Sequence, residues 1–82
     1  MWLVKASSSW TGDAGDLVTL LAVAGNAQSV TTHGLRYRLT EATLLHGPSL
    51  GVSNEMMGSE ASIDVANGSV LVIHQRRSLA TF

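Results

Sequence analysis

The 82-residue chain contains no cysteine, one proline and few aromatic residues. Without cysteine it can form neither a disulfide framework nor a thiolate metal site. A chain of this length buries only about 60–65% of the surface that its unfolded form exposes, so its stability is marginal. We therefore expect residues 1–82 to form one small domain that gains stability by associating with another chain or domain.

Long apolar runs and a strong net charge are also missing. The longest apolar stretch, residues 17–24, is less than half of the roughly 20 residues that a membrane-spanning helix needs. Five basic and six acidic residues leave a formal charge of −1, without the basic surface that nucleic-acid binding normally requires. Lys5 and the serines at 7–9 interrupt any apolar segment after Met1, so no secretory signal is expected. We expect a cytoplasmic protein that binds neither membranes nor nucleic acid.

Short apolar runs rich in valine, leucine and isoleucine alternate with glycine, asparagine and serine. Their spacing of roughly eight to twelve residues is typical of a β-sandwich or barrel, so the chain is predicted to be mostly β. The predicted strands cover residues 2–5, 16–23, 29–32, 35–39, 43–46, 59–65 and 69–75. Residues 6–15 are interpreted as a serine- and glycine-rich connection, with room for a brief edge strand around Trp10.

The last two predicted strands are expected to form the centre of the fold. Asn67-Gly68 lies between them and is a strong hairpin signal, because a type I′ turn needs positive φ at both central residues. Before this turn, Ile63 and Val65 face one side of the strand and polar residues face the other. Beyond it, both faces of the strand are apolar, which indicates a strand covered on both sides by another layer or by a partner.

Residues 16–24 also fit a short helix. Behind a possible N-cap at Asp16, leucine and alanine recur at spacings of three and four, at Leu17, Leu20, Leu21 and Ala24. The run is short, and the β-branched Val18, Thr19 and Val23 favour a strand. We predict a strand and keep the helix as the alternative.

Uncharged polar side chains cluster at Ser53 and Asn54, directly after a segment in which Gly47 and Gly51 permit positive φ. A hydroxyl and a carboxamide both donate and accept hydrogen bonds, which suits a neutral heterocycle better than a phosphate or a metal. Serine and asparagine are also ordinary turn residues, so the alternative is that both merely close the turn.

The sequence carries no signal for a catalytic or metal centre. No glycine-rich loop is followed by Lys-Ser/Thr, and there is no paired aspartate cluster. The histidines at 33, 46 and 74 lack the spacing of metal ligands. We predict no catalytic residue, no metal site and no cofactor in this domain.

Four blocks of sequence, in their order and spacing, resemble the C-terminal domain of thiamine pyrophosphokinase. The blocks are residues 15–21, 30–37, 51–55 and 69–73, and the resemblance extends over about residues 2–73. It implies an antiparallel β-sandwich, flattened and jelly-roll-like, that binds thiamine.

The resemblance also implies what surrounds the domain. Full-length members of the family carry an N-terminal α/β domain that binds ATP and magnesium, and they convert ATP and thiamine into AMP and thiamine diphosphate. They work as homodimers, with each active site between the ATP-binding domain of one subunit and the β domain of the other. This chain lacks the ATP-binding domain, so we expect it to supply the acceptor-binding wall and to be inactive alone.

Carried over residue by residue, the family match makes Ser53 and Asn54 the first candidates for thiamine contact. Thr31, Thr32 and Tyr37 are second-tier candidates, because the sequence favours a structural role for their hydroxyls as cross-strand partners over ligand contact. Met56, followed by Met57, stands where family members often carry an aromatic residue. A polarizable thioether there could face the ligand or fill the core.

Two other functions remain alternatives from the sequence. One is a non-catalytic β-sandwich module whose role is oligomerisation. The other is a small oligonucleotide- or sugar-binding barrel, which the low basic count and the few aromatic residues disfavour.

Overall fold

The computed structural model describes residues 1–47 and 51–76, in which eight strands and no helix are present. The strands are β1 (Trp2–Val4), β2 (Ser7–Thr11), β3 (Leu17–Ala22), β4 (Ala27–His33), β5 (Ala42–Leu44), β6 (Val52–Glu55), β7 (Glu60–Asn67) and β8 (Val70–Gln75). Segment 16–23 is therefore a strand, as predicted, and not the alternative helix. The segment alternates strictly, with Val18 and Leu20 fully buried and Leu17 exposed, which fits one buried face of a sheet.

The strands form two four-stranded sheets, here called sheet 1 (order β1-β8-β3-β6) and sheet 2 (order β2-β7-β4-β5). Every strand pair within them is antiparallel. The inner faces of the two sheets form a single core of buried aliphatic side chains, with Leu20 and Ile63 among the largest fully buried. The predicted all-β antiparallel sandwich is thus confirmed.

The two tryptophans join the sheets at one edge. Trp2 of sheet 1 and Trp10 of sheet 2 pack edge to face, with ring centroids 5.2 Å apart and an interplanar angle of 70°. The Trp2 Nε1 group donates a hydrogen bond of 3.1 Å to Ser8 Oγ. The brief edge strand predicted around Trp10 is confirmed, and it corresponds to β2 (Ser7–Thr11).

The predicted hairpin at Asn67-Gly68 is wrong. β7 belongs to sheet 2 and β8 to sheet 1, so the segment crosses between sheets. Gly68 has φ of 97°, but Asn67 does not have positive φ, since Ser29 and Glu41 are the only non-glycine residues of the described chain that do. A type I′ turn needs positive φ at both central positions and is therefore not formed. Both strands carry an apolar row, and a crossing lets the two rows face each other across the core.

Two other predictions need correction. Residues 35–39 form a loop, with only an isolated bridge from Leu35 to Met56, whereas residues 52–55 form the unpredicted strand β6. β8 does occupy the interior of sheet 1, between β1 and β3, but only one of its faces packs inside the sandwich. On the other face, Leu71 and Ile73 remain partly exposed.

Candidate functional site

β6 is an edge strand of sheet 1, and it places the two leading candidates, Ser53 and Asn54, on opposite faces of that sheet. Asn54, opposite Val18 of β3, is only 4% exposed and faces the interior. Ser53, opposite Thr19, is exposed on the outer face. Because successive side chains of a strand point to opposite faces, these neighbours cannot approach a ligand from the same side of the sheet. The turn predicted before them falls partly on residues 48–50, outside the described residues.

The Asn54 carboxamide binds the backbone of Tyr37. Its Oδ1 accepts a hydrogen bond of 2.9 Å from Tyr37 N, and its Nδ2 donates one of 2.7 Å to Tyr37 O. Oδ1 also accepts a bond of 3.0 Å from Glu55 N. The side chain therefore acts as an extra peptide group that continues the edge of sheet 1.

Backbone bonds extend the same contact along β6. Arg36 N donates to Glu55 O at 2.9 Å, and Met57 N donates to Gly34 O at 3.0 Å. Gly34 has φ of 82°, and a Cβ there would overlap Glu60 O, so the bend into this loop requires glycine. Residues 34–37 thereby cover the exposed edge of β6, an arrangement that protects an edge strand from pairing with other chains.

The threonine candidates hold the other end of this loop. Thr32 Oγ1, which is fully buried, accepts a hydrogen bond of 3.0 Å from Leu39 N. Thr31 Oγ1 accepts one of 3.0 Å from Glu41 N. Both hydroxyls therefore have structural roles, but with the loop backbone as partner and not with side chains on a neighbouring strand.

An ion pair and an aromatic ring stand on the outer side of the loop. Arg36 Nη1 lies 2.6 Å from Glu55 Oε1, and the Arg36 guanidinium carbon lies 5.5 Å from the ring centroid of Tyr37. The hydrogen bond to Glu55 is the main cause that raises the pKa of Arg36 above its usual range. Tyr37 is 60% exposed, so its ring is open to solvent.

A cleft of about 410 Å³ opens beside this ion pair. It is lined by Gly15, Arg36, Glu55, Met56 and Met57. Sequence reasoning named the methionines but missed Gly15, Arg36 and Glu55 as site residues. Only the fold brings Gly15 and Arg36 next to Glu55 at the end of β6. Met57 is 66% exposed, whereas Met56 is 2% exposed and fills the core.

Asp16 and His74 form the structure behind the cleft. The Asp16 side chain is 3% exposed; its Oδ2 lies 2.8 Å from His74 Nε2 and accepts a hydrogen bond of 2.9 Å from Asp13 N. Around it, Met56 N donates to Asp16 O at 2.8 Å and Gly15 N donates to Met56 O at 2.7 Å. Asp16, considered as a possible helix cap from the sequence, therefore ties β8 and the loop before β3 to the end of β6.

A second cleft, of about 660 Å³, lies at one end of sheet 2. Ser9, Trp10, His33 and Glu60 are among its lining residues, and none of the predicted site residues is.

Within residues 1–47 and 51–76, no group of three or more His, Asp or Glu side chains could hold a metal ion. Nor does this part of the chain include a helical segment with the length and hydropathy of a membrane span.

Comparison with known proteins identifies a family. The family model described as thiamin pyrophosphokinase, vitamin B1 binding domain, matches residues 9–70, which is most of the chain. Among curated proteins, none matches the sequence significantly.

Several solved structures share the fold. Thiamin pyrophosphokinase from Geobacillus thermodenitrificans has a TM-score of 0.81 at 22% identity, over 96% of this chain and 38% of that chain. Thiamine pyrophosphokinase from Bacillus subtilis has a TM-score of 0.78 at 17% identity, over 90% and 36%. A thiamin pyrophosphokinase family protein from Enterococcus faecalis has a TM-score of 0.70 at 18% identity, over 93% and 36%. The chain thus spans less than two fifths of the length of these structures.

Proposed function

Because the chain belongs to the thiamin pyrophosphokinase family, as its vitamin B1 binding domain, we propose that it forms the acceptor-binding wall of a thiamine pyrophosphokinase. The family match over residues 9–70 is the observation that carries this proposal. The cleft beside β6 is the proposed thiamine site, since its lining residue Glu55 directly follows the Ser-Asn pair that resembles the family's thiamine contacts.

The chemistry of the cleft suits thiamine, which joins an aminopyrimidine to a cationic thiazolium ring. The Glu55 carboxylate, which is 30% exposed and is bonded to Arg36 through Oε1, offers its remaining negative charge to the thiazolium. The exposed thioether of Met57 offers a polarizable surface for a ring. Ser53 contributes its hydroxyl from the outer face of sheet 1, and Asn54 contributes by holding Tyr37 and its neighbours at the cleft.

In the proposed reaction, the hydroxyl of thiamine attacks the β-phosphorus of ATP, the bond to the α-phosphate oxygen breaks, and AMP leaves. Such transfer depends mainly on positioning and on charge stabilisation by metal ions. We propose that an N-terminal α/β domain of the full-length protein binds ATP and magnesium. The proposal includes a cytoplasmic homodimer in which that domain of one subunit faces this domain of the other.

Chemical-shift mapping of the chain with thiamine distinguishes the two clefts. Thiamine added to millimolar concentration is expected to shift the amide resonances of Gly15, Arg36 and Met57. Those of Ser9 and His33, in the cleft on sheet 2, should stay in place. Shifts confined to the sheet 2 cleft, or no shifts at all, would contradict the proposed site.

A matched pair of variants tests the charge. Glu55→Gln is expected to weaken thiamine binding about fivefold in calorimetry, because it removes an attraction of roughly 1 kcal/mol for the cation. Glu60→Gln, in the sheet 2 cleft, should leave the affinity unchanged. Thiochrome, a neutral oxidation product of thiamine, should bind both variants equally. An equal loss of thiamine affinity in both variants would show that Glu55 has no specific role.

A further inference from the structure

The cleft at one end of sheet 2 is larger than the cleft beside β6. Its volume of about 660 Å³ lies within the range of about 300–1,000 Å³ that is usual for small-molecule sites. Strand register places Ser62 of β7 between Ser9 of β2 and His33 of β4, and it places Thr11 opposite Glu60 in the next row. These five side chains lie on the outer face of sheet 2, since cross-strand partners share a face and β7 turns its alternate residues into the core.

The polar side chains of this cleft have unused hydrogen-bonding capacity. Across residues 1–47 and 51–76, none of the five takes part in a side-chain hydrogen bond or an ion pair. The polar side chains near β6 differ, because those of Asn54, Thr31 and Thr32 are bonded to loop backbone. The hydroxyl, imidazole and carboxylate groups on sheet 2 are therefore available to a ligand.

Backbone contact between strands holds one wall of the cleft. Gly34, directly after β4, lines it, and a Cβ at this position would overlap Glu60 O and lie 3.0 Å from Ala61 Cα. Only glycine lets the chain pack so closely against β7. Most of the lining residues stand on β2, β4 and β7, and sites on strands hold their groups more precisely than sites on loops.

The chemistry of the lining decides the class of ligand. Among the described residues, no lysine or arginine lines the cleft, so a phosphate or carboxylate ligand would find no counter-charge. An apolar ligand would remove hydroxyls and a carboxylate from water without giving them new partners. A molecule that presents many hydroxyl groups supplies both donors and acceptors to such a lining. We propose that this cleft binds a neutral polyhydroxylated molecule of sugar size, at a site separate from the proposed thiamine site.

The dimensions of the cleft fit one sugar ring. The row of Ser9, Ser62 and His33 spans roughly 10 Å, because neighbouring strands lie about 4.8 Å apart. Glu60 stands two residues from Ser62 along β7, where its two carboxylate oxygens accept from neighbouring ring hydroxyls. Trp10 is the one aromatic residue among the described lining, and hydrogen bonds exchanged with water add little net free energy. The dissociation constant is therefore expected in the millimolar range.

Chemical-shift mapping with neutral sugars tests the proposal. D-glucose, D-galactose, D-mannose and D-ribose are each added to about 50 mM, a concentration chosen to saturate a millimolar site. At least one of them is expected to shift the amide resonances of Ser9, His33 and Ser62 and the indole resonance of Trp10, while that of Gly15 stays in place. No shift with any of the four, or shifts scattered over the surface, would overturn the proposal. Binding of glucosamine alone would overturn it in favour of an amine site.

Matched variants then test the lining. Ser62→Ala and Glu60→Gln should each raise the dissociation constant of the sugar that binds about threefold to tenfold, because each loses a hydrogen bond to it. Ser7→Ala and Asp64→Asn are the controls, since these residues pair with each other in the next row of the outer face and do not line the cleft. Equal losses in variants and controls would overturn the proposal.

Two further measurements keep the result interpretable. Thermal unfolding of each variant verifies that the fold is retained. Ser62→Ala should also leave thiamine affinity unchanged, because Ser62 lies outside the cleft beside β6. A failure of thiamine binding therefore bears on the proposed function alone, and a failure of sugar binding bears on the sheet 2 cleft alone.

Discussion

The inner and outer sides of sheet 1 show how alternation assigns different roles to neighbouring residues. Leu20 is buried and Leu21 points outward, Asn54 is buried and Ser53 is exposed, and the same holds for Met56 and Met57. The inner member of each pair stabilises the fold, whereas the outer member is free to meet a ligand or a partner. Adjacent residues of similar chemistry therefore serve the molecule in different ways, and substitution in pairs separates the two roles.

The largest effect is expected for the leucine pair. Leu20→Ala should lower the free energy of unfolding by about 2–5 kcal/mol, because it leaves a cavity at a fully buried position. Leu21→Ala should cost less than about 1 kcal/mol, because Leu21 points outward and is only partly buried. Urea unfolding followed by circular dichroism measures both effects. Equal destabilisation by the two variants would break the comparison.

The methionine pair is expected to behave similarly. Met56→Ala should cost about 2–5 kcal/mol, since its side chain is 2% exposed and its sulfur lies against the backbone at Gly12. Met57→Ala should change stability by less than about 0.5 kcal/mol, because Met57 is mostly exposed. Calorimetry should show that Met57→Ala nevertheless weakens thiamine binding. If it does not, Met57 lies outside the ligand surface.

The polar pair gives an intermediate effect. Asn54→Ala leaves the partly buried N–H and C=O of Tyr37 without their partner and should cost about 1–3 kcal/mol. Ser53→Ala should be neutral within about 0.5 kcal/mol. Amide exchange at Tyr37 provides a direct readout, since it should become faster in Asn54→Ala only. Unchanged exchange would mean that the carboxamide does not hold the loop.

The smallest effect on stability is expected at the ion pair between Arg36 and Glu55. Arg36→Gln removes the bond to Glu55, but the Arg36 side chain is 60% exposed and such pairs are strongly screened. The melting temperature should therefore match that of Arg38→Gln, an exposed arginine nearby, once molar salt is present. A clear difference that persists in molar salt would show that the pair supports the loop.

Much of the fold was predictable from local sequence. The valine- and leucine-rich runs correctly predicted the strands at β1, β3, β4, β5, β7 and β8 and the all-β sandwich. β6 was missed, because Val52 to Glu55 lacks a run of apolar residues and follows glycine. Residues 35–39 were wrongly predicted as a strand because their composition suits one. They form a loop along the edge of β6, with a single isolated bridge between Leu35 and Met56.

The candidate site was predictable only in part. The resemblance pointed to Ser53 and Asn54 as a pair, and thiamine contact by either residue stays a prediction. The structure shows that Asn54 is bonded to Tyr37, a residue 17 positions away, which no local pattern indicates. The hydroxyls of Thr31 and Thr32 are likewise bonded to loop backbone that only folding brings near.

By itself, the sequence determined which residues of β7 face the core, because the two-residue period of a strand is written there in the order of apolar and polar side chains. It also carried the family, through four spaced blocks. Only the tertiary structure decided which sheet each strand joins and which polar groups become partners. Pairing between strands is a contact between distant segments. Asn67-Gly68 therefore indicated a turn but not which sheet the next strand joins, and Asn54 indicated a polar site but not that its partner is Tyr37.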